Sequence, residues 1–172
     1  MNAGEDDTAP VLADAAAFAA RLPERGALLA VDPGGRRVGV AASDPTRTLA
    51  TPLETVTVRD PDRLLERLAA LARERGAVGV VVGHPVSMDG RRGPAAEAAR
   101  ELAERIAARL RLPVLLQDER LSTFAVEEAI REGRLRRPRR APLDHLAAAV
   151  ILEDALEALR RVRRHGPAGE PS

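Results

Sequence analysis

Three apolar stretches separated by short turns, within residues 27–58, constrain the fold most strongly. The first, ALLAVD at 27–32, is almost continuously apolar, which is typical of a strand buried on both faces. A Pro-Gly-Gly turn leads into the second, at 36–43, and the third, at 49–58, contains Pro52 and is predicted at a sheet edge. Because turns this short cannot support a crossover, the three predicted strands must pair antiparallel.

The apolar spacing then changes from that of strands to that of helices. Asp60-Pro61 begins a predicted helix that ends at Gly76, and a buried strand follows at 77–83. Strands joined through helices are parallel. We therefore predict an α/β fold whose mixed five-stranded sheet is flanked by helices, with the first three strands antiparallel and the later ones parallel. The other predicted elements are a helix at 10–22, a helix from 94, a strand at 112–117, and helices at 123–132 and 142–163.

Composition excludes several classes of site. The chain has no cysteine, so it has neither disulfides nor thiolate metal ligands. No apolar stretch reaches the length of a membrane span, and the acidic opening is unlike a secretory signal, so we predict a cytoplasmic protein with no membrane partner. The net charge is +1, but residues 131–140 hold six arginines and one glutamate. Such a strip is typical of nucleic-acid contacts, although it also fits a solvated loop.

Acidic residues follow the predicted parallel strands where these strands end. Asp32 ends the first strand, Asp118 and Glu119 end the last, and Asp144 lies in the first turn of the final helix. Each has a plain alternative: Asp32 suits a turn, the pair suits a solvated loop, and Asp144 suits a helix dipole. Together, at one sheet edge, they would form an oxygen-only site for Mg²⁺ or Mn²⁺. Strand alternation allows only one of Asp118 and Glu119 to share the face of Asp32, and the sequence does not choose between them.

Four stretches in order resemble the YqgF family, whose members are described as nucleases maturing the 5′ end of pre-16S rRNA and as Holliday junction resolvases. The resemblance covers residues 27–160. The stretches are LAVDPGGRRVGVAASD (29–44), VVGHPVSMDGRRG (81–93), QDERLST (117–123) and LDHLAAAVILEDAL (143–156). It implies an RNase H-like fold and a metal-dependent nuclease acting on structured nucleic acid, with pre-rRNA favoured over branched DNA.

The resemblance also implies roles for individual residues. Asp32, Glu119 and Asp144 are expected to be both catalytic residues and ligands of Mg²⁺ or Mn²⁺, with Asp118 in reserve for the second place. The expected nucleic-acid-binding residues are all arginines: Arg36, Arg37, Arg120, Arg136, Arg137, Arg139 and Arg140. His84 departs from the pattern, since an apolar residue is expected between Gly83 and Pro85. We expect an N-terminal extension at 1–24 (partly disordered or one short helix), a nuclease domain at 25–163 and a disordered tail at 164–172.

Two other classes of function stay open at this stage. The first is a nucleotide-binding protein, because GGRRVG at 34–39 has the glycine spacing of a phosphate-binding loop. Against it, Val40 stands where that loop needs lysine, and the stretch lies in a predicted hairpin and not between a strand and a helix. A nucleic-acid-binding protein that kept the fold without catalysis is the other alternative. The sequence does not distinguish an rRNA precursor from a DNA junction as substrate, nor a monomer from a homodimer.

Overall fold

The structure is a computed structural model of the 172-residue chain. The structure describes residues 9–85, 93–118, 131–133 and 143–165, and at 143–145 it describes the backbone only. The predicted helix at 123–132 therefore lies almost wholly outside the described residues.

One mixed sheet organises the fold. Its strands are β1 (Val11–Leu12), β2 (Ala27–Pro33), β3 (Arg37–Ser43), β4 (Ala50–Thr57), β5 (Ala77–His84) and β6 (Val114–Asp118). Their order across the sheet is β1-β6-β5-β2-β3-β4. The hairpin-linked strands β2, β3 and β4 pair antiparallel, whereas β2, β5, β6 and β1 pair parallel. The predicted mixed sheet is confirmed, with six strands where the sequence predicts five.

The additional strand comes from residues that the sequence predicts as part of a helix at 10–22. Val11 and Leu12 extend along the free edge of β6, in register with Val114 and Leu115. The helix begins only after Asp14, whose side chain accepts a hydrogen bond from the Ala17 amide at 3.0 Å. Pairing with an open edge satisfies backbone groups that a longer helix would have satisfied internally, and local periodicity cannot reveal that competition.

Four helices cover the sheet: α1 (Ala15–Ala19), α2 (Pro61–Arg75), α3 (Pro94–Leu110) and α4 (Leu143–His165). Local signals set the bounds of α2, since the Asp60 side chain caps its first turn and Gly76 ends it with a φ of 63°. Pro94 begins α3 in the same way that Pro61 begins α2.

The sheet separates two apolar cores. Leu29 and Val31 of β2 pack with α2 and α3, and we call this side the α2/α3 face. Leu28 and Ala30 pack with α4 and with Phe18 of α1, and we call this side the α4 face. Successive residues of a strand point to opposite faces, so this assignment shows on which side each charged residue lies where a strand ends.

Candidate active site

Three neighbouring parallel strands end together at one edge of the sheet. In the register, Val31 of β2 pairs with Val82 of β5, and His84 of β5 pairs with Asp118 of β6. The carboxyl ends of β2, β5 and β6 therefore meet, which is where open α/β sheets bind ligands. Asp32 lies at this edge, one residue after Val31, as the sequence predicts.

Asp32 lies on the α4 face with little side-chain bulk beside it. It follows Leu28 and Ala30 in the alternation of β2, and it is partly exposed. Its register partner on β3 is Gly39, and on the other side Gly83 directly follows Val82, the partner of Val31. Neither neighbouring strand therefore adds a side chain directly beside the Asp32 carboxylate.

The hairpin after Asp32 needs one of its two glycines. The Gly34 amide donates to the Asp32 carbonyl at 3.0 Å, and a Cβ at Gly34 would lie 2.6 Å from the Arg37 carbonyl oxygen. Gly35 has open space around it. The turn therefore explains Gly34 but places no demand on the side chain of Asp32.

Arginines lie beside Asp32 on the same hairpin. Arg36 and Arg37 are exposed, and the Val58 amide donates to the Arg36 carbonyl at 2.7 Å, which ties the hairpin to the end of β4. Arg37 alternates with Gly39 along β3 and so lies on the α4 face with Asp32. This places a cation next to the candidate carboxylate.

Asp118 lies on the opposite face of the sheet. Val114 and Leu116 of β6 pack on the α2/α3 face, whereas Leu115 packs on the α4 face. By alternation Asp118 shares the α2/α3 face with its register partner His84, which is buried. The two predicted alternatives for the second carboxylate are thus no longer equivalent, because Asp118 does not face the same side as Asp32.

Most of the remaining predicted site residues lie outside the described part of the structure. Asp144 is the second residue of α4, and α4 packs on β2, β3 and β4 on the face of Asp32. Its side chain lies outside the described part of the structure. Glu119, Arg120 and the strip residues Arg136, Arg137, Arg139 and Arg140 also lie outside the described residues. Within the described ranges no three His, Cys, Asp or Glu side chains cluster as metal ligands.

Sequence reasoning missed two features, one in the row of Asp32 and one on α4. Thr55 of β4 pairs with Gly39, so a hydroxyl extends the row that begins at Asp32. On α4, Glu153 is buried and its Oε1 accepts from Arg160 at 3.1 Å. Burial, and the charge of Glu153, raise the pKa of Asp154 to about 7. The two acidic residues inside the apolar run AVILEDAL were a sequence signal for the buried Glu153 and for Asp154. The position of Thr55 beside Gly39 is revealed only by the strand pairing.

Comparison with known proteins identifies the family. The model of the family described as "RuvX: Holliday junction resolvase" matches residues 26–158. The chain belongs to the RuvX family. This confirms the resemblance to YqgF, and the match begins after β1 and α1, so these two elements precede the part that is common to RuvX proteins.

Relatives of this RuvX protein cover nearly its whole length. A Bradyrhizobium protein named "Putative pre-16S rRNA nuclease" is 46% identical over 149 residues, which are 86% of this chain and 92% of that protein. A Cereibacter sphaeroides protein of the same name is 45% identical over 152 residues, covering 88% and 95% of the two chains.

Solved structures confirm the RNase H-like fold of this RuvX protein. Thermus thermophilus RuvC, solved in complex with a Holliday junction substrate, has a TM-score of 0.57 at 17% identity, over 83% of this chain and 97% of RuvC. The large terminase nuclease of a thermophilic phage has a TM-score of 0.50 at 12% identity, over 88% of this chain and 96% of that nuclease.

In the described part of the chain, no helix has the length and apolar character needed to cross a bilayer.

Proposed function

We propose that this RuvX protein is a metal-dependent endonuclease whose catalytic carboxylates are Asp32, Glu119 and Asp144. The nuclease class follows from the family and from its named relatives. The observation that carries the proposed site is the position of Asp32, at the carboxyl edge of three parallel strands and on the face covered by α4. Asp144 belongs to that same helix.

The donor set fits Mg²⁺ or Mn²⁺. Three carboxylates offer only oxygen, which these ions prefer, and Gly39 and Gly83 add no side chains beside Asp32. When bound, such ions activate water and neutralise charge on a phosphodiester. The protein's own part is to hold Asp32 on a buried strand, so that its carboxylate is oriented before the substrate arrives.

Strand alternation supports Glu119 rather than Asp118 as the second carboxylate. Leu115 and Gln117 occupy the positions of β6 that alternate onto the α4 face, and in the sequence Glu119 is in phase with these two residues whereas Asp118 is not. Asp118 faces the other side with His84. Asp118 would therefore support the strand end and would not bind the ion.

Arginines near the carboxylates would bind the nucleic-acid backbone. Arg37 shares the face of Asp32, and Arg36 is exposed at the hairpin turn, so both can reach a phosphate there. We propose the same kind of contact for Arg120 and for the strip residues Arg136, Arg137, Arg139 and Arg140. Backbone contacts of this kind position a substrate without reading its sequence.

The preferred substrate in this proposal is a precursor of 16S rRNA, cut to form its 5′ end. This preference rests on the relatives of 45–46% identity that are named "Putative pre-16S rRNA nuclease". The alternative is a Holliday junction, which the family description and the RuvC likeness favour. We propose a cytoplasmic monomer or homodimer whose nuclease domain spans 25–163.

A side-by-side cleavage assay tests the proposal. The purified protein is given a 16S precursor with its 5′ leader and a four-way DNA junction, with Mg²⁺, with Mn²⁺ or with a chelator. We expect metal-dependent cleavage of the precursor and loss of at least about 100-fold in rate for Asp32→Asn. Preferential cleavage of the junction would select the alternative substrate. Binding without cleavage, unchanged by Asp32→Asn, would show a non-catalytic protein.

A further inference from the structure

A group of arginines lies at the end of the sheet away from Asp32. Leu159 of α4 packs against the same core as Leu22 and Val78. Arg163 acts on Arg47, whose side chain bonds to the Gly26 carbonyl just before β2, so α4 ends at the amino end of the parallel strands. With 23 residues, α4 is about 33 Å long. Four of its last residues and one loop residue form what we call the distal arginine surface: Arg47, Arg160, Arg161, Arg163 and Arg164.

Arg47 is held in place by the backbone around it. Its Nε donates to the Gly26 carbonyl at 2.8 Å, and one terminal nitrogen donates to the Pro23 carbonyl at 2.6 Å. Its own φ is 58°, a left-handed conformation rarely adopted by a residue with a side chain. A guanidinium fixed by two carbonyls still has donors for a further acceptor, because it carries five N–H groups.

Arg163 brings a second positive charge to Arg47. Burial, and the charge of Arg163, lower the pKa of Arg47. Arg163 is exposed and forms no ion pair with any residue that the structure describes. Two cations from separate elements therefore approach each other, and their repulsion would be relieved by an anion.

The neighbouring arginines share few carboxylates. Glu157 lies 3.1 Å from Arg160, 3.7 Å from Arg161 and 3.3 Å from Arg164. The side chains of Arg161 and Arg164 are 70% and 62% exposed. Arg160 also bonds to the buried Glu153, which leaves Glu157 as the carboxylate that Arg161 and Arg164 share. The exposed donors of Arg161, Arg163 and Arg164 therefore stay accessible to a ligand.

We propose that the distal arginine surface binds backbone phosphates of the nucleic-acid substrate about ten nucleotides from the bond that is cut. The inference rests on the proposed function, since it extends the substrate along α4. Taking as a yardstick the spacing of about 3.4 Å per stacked nucleotide along one strand of duplex DNA, the length of α4 corresponds to roughly ten nucleotides. A nucleic acid fits better than a small anion because the cations are spread along the helix end.

Basic residues at the end of a helix also complement the helix dipole, which is an alternative reason for the arginines of α4. The arginines at the end of α2 are the matched control for that alternative. It ends in exposed Arg73 and Arg75, next to the start of β5 and therefore at the same end of the sheet, but on the α2/α3 face. We compare Arg163→Gln/Arg164→Gln with Arg73→Gln/Arg75→Gln in the full chain. Binding is measured in chelator, so that no cleavage occurs, to precursor RNAs with four or twenty nucleotides on each side of the cleavage site.

We expect the Arg163/Arg164 variant to bind the long RNA more weakly than wild type. The slope of its binding constant against salt concentration should be smaller by the amount that two phosphate contacts contribute. Wild type should then weaken about sevenfold more than the variant between 50 and 200 mM salt. The short RNA and the Arg73/Arg75 variant should show no such difference. Equal losses on both RNAs, equal losses in both variants, or no loss would overturn the inference. If wild type binds neither RNA, the rRNA substrate proposed above fails as well, whereas normal binding without a variant effect overturns the distal surface alone.

Discussion

Asp32 and Asp118 end parallel strands at the same edge of the sheet but lie on opposite faces. Asp32 follows Ala30 onto the side covered by α4, whereas Asp118 follows Leu116 onto the side covered by α2 and α3. Because side chains on opposite faces of a sheet point away from each other, we do not expect these two carboxylates to share one ion. This relationship is what makes the choice of the second metal ligand testable.

Glu119→Gln and Asp118→Asn should therefore differ in activity. We expect Glu119→Gln to lower the metal-dependent cleavage rate at least about 100-fold, because an amide would replace the carboxylate that we propose as a ligand. Asp118→Asn should keep the rate within about threefold. Single-turnover cleavage with saturating Mg²⁺ measures both, and melting temperatures verify that both fold. The reverse order of effects would make Asp118 the ligand.

Gly79→Ala should destabilise the contact between α1 and the sheet. A Cβ at Gly79 would lie 2.9 Å from the Phe18 ring and 2.9 Å from a Leu22 methyl group, and Phe18 is fully buried. We expect a loss of about 1–3 kcal/mol in the free energy of unfolding, as for other overpacked cores. Gly35→Ala is the control because open space surrounds that position. Equal denaturation midpoints for the two variants would contradict this packing.

Arg160→Ala should cost more stability than the loss of an exposed ion pair. Glu153 is 3% exposed and bonds to Arg160 at 3.1 Å, so the change removes a partner from a buried carboxylate. We expect about 1–3 kcal/mol of destabilisation in urea unfolding. Arg100→Ala, which breaks an exposed pair with Glu104, should cost less than about 0.5 kcal/mol. The prediction fails if the two changes cost the same.

Asp154 should make stability fall as pH rises from about 4 towards 7. Its pKa is about 7 in the folded protein against 3.8 ordinarily, so the folded state keeps a proton that the unfolded chain releases. The contribution is present below the unfolded value and is lost as pH passes through the folded one. A shift of this size corresponds to about 4 kcal/mol for a fully buried group, and solvent screening of the partly exposed Asp154 reduces it to roughly 2 kcal/mol. Asp154→Asn should flatten the profile of unfolding free energy against pH in this window.

Carboxylates with lowered pKa provide the contrast for that measurement. Arg67 lowers the pKa of Glu54, so this group stabilises the fold above its ordinary pKa and loses the effect in acid. Its contribution changes below about pH 4.5, and so leaves most of the Asp154 window between pH 4 and 7 unaffected. The difference between wild type and Asp154→Asn therefore isolates Asp154. Parallel profiles between pH 4 and 7 would show that its proton does not affect folding.

Much of the fold and part of the site follow from the sequence alone. Asp60, Pro61 and Gly76 determine the bounds of α2, because caps act through their own neighbours. Short turns determine that β2, β3 and β4 are antiparallel, and helical connections determine that β5 and β6 are parallel. The position of Asp32 at the carboxyl edge follows from the same pattern.

The tertiary structure decided what depends on contacts distant in sequence. Because β6 is apolar on both sides, its sequence contains no alternation to show which face Asp118 takes, and only its packing between two cores reveals it. The pairing of β1 with β6, and the approach of Arg47 to Arg163, likewise join segments about a hundred residues apart. Local chemistry determines where an element begins and ends, but which partner it meets is a property of the whole packed chain.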